Sequence, residues 1–133
     1  MSKSAAQKLF IKPGTTVWVS HADRRHLIDP LPDGVEQSKT LGAADVAVVF
    51  GDDAASVRKL LTKHAKDLSK AGILWVAYPK GNRADINRDT LWPILGEFGM
   101  RPNMQVAIDD TWSALRFRAL APGEAPFTGG KAG

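Results

Sequence analysis

Cysteine is absent from the 133 residues, which excludes disulfides, thiolate nucleophiles and cysteine-held zinc or iron–sulfur centres. Long apolar runs are also missing: nothing approaches the roughly 18 consecutive apolar residues that a membrane crossing needs. The opening MSKSAAQKLFIKPG lacks the apolar core and small-residue cleavage site of a secretory signal. A cytoplasmic protein without membrane contact is therefore expected. Histidine is scarce, and His21, His26 and His64 are too scattered for a metal site. None of these residue types points to a bound cofactor. Neither sign of charge dominates, since 18 Lys and Arg against 14 Asp and Glu leave a formal +4. Much of that excess is peripheral, at Lys3, Lys8, Lys12 and Lys131. It suits an anionic partner and falls short of a nucleic-acid footprint.

What remains is an ordinary globular composition, 44% hydrophobic and 24% charged, in a chain long enough for one core. Residues 1–12 read as an N-terminal arm, 13–118 as the domain, and 119–133 as a flexible tail of Pro, Gly and small residues with Phe127 as its one anchor.

Within the domain, residues 15–20 (TTVWVS) have the β-branched and aromatic content of a strand. Residues 35–39 read as a charged edge strand. Residues 43–50 (AADVAVVF) and 73–78 (ILWVAY) are continuous apolar runs, the pattern of strands covered on both faces. Between them a helix over 54–70 is predicted, with Val57, Leu60, Leu61, His64 and Leu68 on one face and lysines on the other. Strand, helix and strand make a right-handed parallel unit. A second helix follows with Leu91, Trp92, Ile94, Leu95 and Phe98, and Pro93 favours a start at Thr90, which places the ring in the first turn. Residues 103–108 and 113–117 are joined by too few residues for a crossover helix, so they pair antiparallel. The predicted fold class is α/β: three layers, a mostly parallel sheet flanked by helices, closed by a C-terminal antiparallel hairpin.

On this order of elements, with LSKAGILWV (68–76) as the turn and strand before the last helix, the chain resembles the S-adenosylmethionine-dependent methyltransferase fold in reduced form. It resembles more closely the DUF3052 family of uncharacterised bacterial proteins. That likeness runs from about Gln7 to Arg118 and is strongest in WVAYPKG (75–81), NRDTLW (87–92) and QVAIDDTWSALRFR (105–118). The methyltransferase likeness implies a glycine-rich turn after the first strand and an acid closing the second, which would hold the cofactor. Here VWVSHADRR (17–25) contains no glycine. Glu36 comes early in the second strand, which ends in Lys39 and Thr40.

Three groups of residues are candidates for function. The crevice at the C-terminal ends of the parallel strands collects Ser20, His21, Asp23, Arg24, Asp52, Asp53, Lys80 and Arg83. Basic side chains there could take a phosphate or carboxylate, and His21 a proton; alternatively these are solvated loops and the aspartates cap a helix. The loop 80–89 could hold an anion between Lys80 and Arg88 ahead of a helix, or its charges pair internally, Asp85 and Asp89 with Arg83 and Arg88. Asp109 and Asp110 could serve as ligand or base, although turn chemistry explains Asp110 more simply. Trp112 and Arg116 could present an aromatic and cationic patch to a protein, whereas Trp18, Trp75 and Trp92 read as core.

Because the residues form no convergent catalytic set, the expectation is a non-catalytic or regulatory protein that recognises a protein or an anionic small molecule. The alternative is a divergent transferase with an altered cofactor pocket. A homo-oligomer is open on either reading.

Overall fold

The computed structural model describes residues 4–81 and 85–124. After α1 (Ala5–Lys8) come β1 (Thr16–Val19), a 3-10 helix (Ala22–Ile28), β2 (Glu36–Gln37), β3 (Val46–Phe50), α2 (Ala54–Lys63), β4 (Ile73–Pro79), α3 (Arg88–Gly96), β5 (Met100–Ala107) and β6 (Trp112–Ala119). The six strands form one sheet in the order β2-β1-β3-β4-β6-β5. β1 to β4 run parallel, and β6 enters antiparallel between β4 and β5. The α/β class, the mostly parallel sheet and the antiparallel terminal hairpin are as the sequence pattern predicts.

β3 is buried along its whole length because successive side chains enter opposite cores. Ala47 and Val49 join Leu74, Val76, Leu61, Leu91 and Leu95 beneath α2 and α3. Val46, Val48 and Phe50 join Trp75, Leu9 and Ile28 beneath α1 and the 3-10 helix. Ala6, Leu9 and Ile11, from the segment read as an arm, are buried in this second core. The Trp75 indole N–H donates to the Leu9 carbonyl at 3.0 Å, so this side of the sheet is pinned to the chain's first turns.

Two helix predictions are corrected. The helix that begins at Ala54 ends at Lys63, and residues 64–70 continue as tighter turns with i to i+3 bonds such as Asp67 N–H to the His64 carbonyl. The His64 ring stands edge-on to Trp18 at 4.9 Å, and the tightened path still buries Leu68. The following helix starts at Arg88 and not at Thr90. Asn87 caps it, accepting from Asp89 N–H and Thr90 N–H at 2.8 and 3.1 Å, while the Thr90 hydroxyl accepts from Asn87 N–H. Pro93 therefore lies inside the helix, where it removes the bond to the carbonyl four residues back. That carbonyl belongs to Asp89, an exposed residue that water can serve.

Beyond β6, Leu120 N–H donates to the Gly99 carbonyl. Glu124 receives Arg101 and Arg118, each at 2.7 Å. The Arg118 hydrogen bond first, the Ala121 N–H second and Arg101 after them hold the Glu124 carboxyl down at about 2.

Candidate functional site

In an open parallel sheet the ligand crevice lies beyond the carboxyl ends of the strands, where neighbouring connections diverge. Here that place is between β1 and β3, since β1 has β2 on one side and β3 on the other. Ser20 closes β1. Its Oγ accepts the Phe50 N–H at 2.8 Å and lies 2.8 Å from His21 Nδ1. The Ser20 hydroxyl thereby ties the end of β1 to β3 and to the His21 ring.

Arg24, from the 3-10 helix, reaches across to the β3 end and pairs with Asp52 at 2.8 Å. Its guanidinium lies 5.3 Å from the Trp112 ring centroid, within cation–π range. Trp112 in turn stands edge-on to Phe50 at 5.4 Å. Arg24 Nη1 is buried and has no hydrogen-bond partner, so one strong donor is held at this edge without an acceptor.

The carboxylates around it have separate employment. Asp53 caps α2, accepting Ser56 N–H at 2.8 Å. Asp85 accepts Ala54 N–H at 2.7 Å; the expected Asp85 to Arg83 pairing involves a residue outside those described. Asp109 Oδ1 accepts both Thr111 N–H and Trp112 N–H, at 2.8 and 2.7 Å. The turn residue is thus Asp109 and not Asp110, because a carboxylate reaches the N–H groups two and three residues ahead. Asp23 and Asp110 are exposed on the rim.

The structure brings Ser20, His21, Arg24, Asp52 and Trp112 together. Lys80 joins the same edge through its backbone, its N–H donating to the Thr111 carbonyl at 2.8 Å. Arg83 lies outside the described residues. Arg88 sits elsewhere, in the first turn of α3, 3.7 Å from Asp89. It lines a cavity of about 390 Å³ between α3 and the hairpin, with Trp92, Met104 and Gln105. Trp112 and Arg116 share a face of β6 but lie four residues, or roughly 13 Å, apart. They serve different neighbours, since the Arg116 guanidinium lies over Phe10 at 5.7 Å. The partnership of Trp112 with Arg24 is one that sequence reasoning missed. No local signal could have revealed it, because it depends on β6 being placed beside β4.

No protein-family model and no curated protein matches the chain. Solved structures do. A protein of the NADB-Rossmann superfamily from Streptococcus agalactiae superposes with a TM-score of 0.58 at 10% identity, over 96% of this chain and 72% of that one. A B. subtilis tRNA methyltransferase gives 0.52 at 13% identity, over 90% and 66%. A Streptococcus pneumoniae protein proposed as a tRNA methyltransferase, solved with S-adenosyl-L-methionine, gives 0.52 at 12% identity, over 94% and 73%. The fold is thus the methyltransferase-like Rossmann sheet, in a chain that spans about two thirds to three quarters of these neighbours.

The residues at the crevice do not fit S-adenosylmethionine in the manner that fold implies. A 3-10 helix with Ile28 buried beneath it replaces the glycine-rich turn. The Arg24–Asp52 pair bridges β1's end to β3's end, and β2 closes on Gln37, which has no carboxylate for ribose hydroxyls.

Proposed function

We propose that the chain is a binding or regulatory protein on a methyltransferase-like sheet, and that its C-terminal edge takes a small molecule bearing one carboxylate or phosphate group. The observation that carries this reading is the buried, acceptor-free Nη1 of Arg24. A guanidinium already oriented by Asp52 and Trp112 would meet an incoming anion without first losing side-chain freedom. The exposed Asp23 and Asp110 on the rim repel polyanions, which disfavours nucleic acid. His21, half-buried beside Ser20, is the second contact. Kinship with the DUF3052 family belongs to this proposal, resting on the stretches 75–81, 87–92 and 105–118.

The test is calorimetric titration of the full chain and of Arg24→Gln with inorganic phosphate, acetate and S-adenosylmethionine. Saturable binding of phosphate or acetate that weakens about tenfold or more in Arg24→Gln is expected, the worth of a charge-assisted hydrogen bond. Equal binding by both proteins would remove Arg24 from the site.

A second reading, a divergent transferase with an altered cofactor pocket, is favoured by the likeness to a structure solved with S-adenosyl-L-methionine. Its sign would be saturable S-adenosylmethionine binding to the wild-type chain in the same titration.

A further inference from the structure

At the opposite end of the sheet, below α1, a cavity of about 410 Å³ is lined by Phe10, Lys12, Thr15, Asp45, Ile73 and Arg116 among others. From this cavity we infer a second binding site, for a small aromatic anion such as an aryl phosphate or aryl carboxylate. It is independent of the edge at Arg24.

Three observations point to that ligand. First, Phe10 takes the left-handed position that ends α1, where Ile11 N–H reaches the Ala6 carbonyl at 2.9 Å and Phe10 N–H the Gln7 carbonyl at 3.1 Å. Its φ is +62°, a region that L-residues other than glycine, asparagine and aspartate seldom occupy. The ring nevertheless stays 37% exposed, stacked at 22° on Trp75 with centroids 6.3 Å apart. The helix-ending turn and the Trp75 ring thus fix where this exposed aromatic stands.

Second, the cavity's charges are unequally committed. Asp45 is occupied: its Oδ2 accepts Thr16 N–H at 2.9 Å and the Thr16 hydroxyl at 3.3 Å. Among the described residues, Lys12 and Arg116 have no carboxylate partner. Two cations thus face a space whose one acid is turned to the backbone, which favours an anion.

Third, the volume suits the size. The groove is open to solvent on one side, and its volume of about 410 Å³ leaves room for one ring with a phosphate or carboxylate attached. The ligand ring would lie against Ile73 and the exposed part of Phe10, while the anion meets Lys12 and Arg116, whose guanidinium already lies 5.7 Å from the Phe10 ring centroid.

The site has a built-in reporter, because the Trp75 indole N–H is fixed on the Leu9 carbonyl directly behind Phe10. The experiment is an NMR titration of the full chain with phenyl phosphate and, separately, inorganic phosphate, following the Trp75 and Trp112 indole signals. The same titration is run on Arg116→Gln and Phe10→Gly. Glycine accepts the +62° backbone, so the second variant retains the turn, and a dispersed spectrum verifies it. Saturable movement of Trp75 by phenyl phosphate is expected, at least about tenfold weaker in each variant and with inorganic phosphate. Movement confined to Trp112, no saturation, equal affinity in Arg116→Gln, or inorganic phosphate binding as tightly would each overturn the inference.

Discussion

Replacing Ser20 by alanine tests how the ends of β1 and β3 are joined. The Ser20 hydroxyl accepts the Phe50 N–H at 2.8 Å, and Phe50 is fully buried. Alanine removes the acceptor while adding no volume, so a backbone donor is left unpaired in the core. That desolvation penalty, about 1–3 kcal/mol, exceeds the small gain from burying a methyl in place of a hydroxyl. With about 2 kcal/mol lost from a domain of this size, Tm should fall by roughly 6–10 °C. Urea unfolding measures the loss, and amide hydrogen exchange locates it, since the Phe50 amide should lose protection relative to Val48 and Val49. Ser20→Thr retains the oxygen and serves as the control. A stability change within about 0.5 kcal/mol, with Phe50 exchange unaltered, would refute the reasoning.

Other outcomes follow from the same accounting. Gly51→Ala would drive a new methyl into the Val57 side chain, with Ile86 3.3 Å away; a loss of about 2–3 kcal/mol in urea unfolding is expected. The Glu124 carboxyl, held at about 2, contributes stability that is present above its ordinary 4.5 and lost as pH falls from there towards 2. NMR titration of that carboxyl should show the low value, and Arg118→Gln should raise it. His64 is lowered by burial first and by Lys63 second. It should titrate below 6.5 by NMR, and the fold should lose stability as pH drops through 6.5, where the unfolded chain takes up the proton first.

The sheet was legible where burial speaks through composition. β3 and β4 are continuous apolar runs because both faces are covered, and the hairpin follows from the few residues between β5 and β6. Helix ends were less legible. The rule that places proline in the first turn competed at Pro93 with the Asn87–Thr90 capping pair, and the caps prevailed because the orphaned Asp89 carbonyl faces water. Asp109 and Asp110 are neighbours whose roles differ only by which carboxylate points back into the turn, a choice the residue types do not encode. At the candidate site, the rim residues Ser20, His21, Arg24 and Asp52 could be named because strand ends are predictable. Their connection to Trp112 could not, since it requires the strand order. Phe10 gave no signal at all: its left-handed backbone belongs to the turn that ends α1, with Ile11 N–H on the Ala6 carbonyl, and aromatic residues carry no preference for that position.

On the proposed reading, Arg24 stands at the carboxyl end of the sheet, where open α/β sheets take their ligands, and offers its Nη1 to an anion. The most direct measurement is the nitrogen-15 spectrum of the Arg24 guanidinium as inorganic phosphate, and separately S-adenosylmethionine, is added. Saturable shifts of the Arg24 Nη signals with phosphate, accompanied by the Trp112 indole and unmoved by S-adenosylmethionine, are predicted. Shifts with S-adenosylmethionine and none with phosphate would contradict the account.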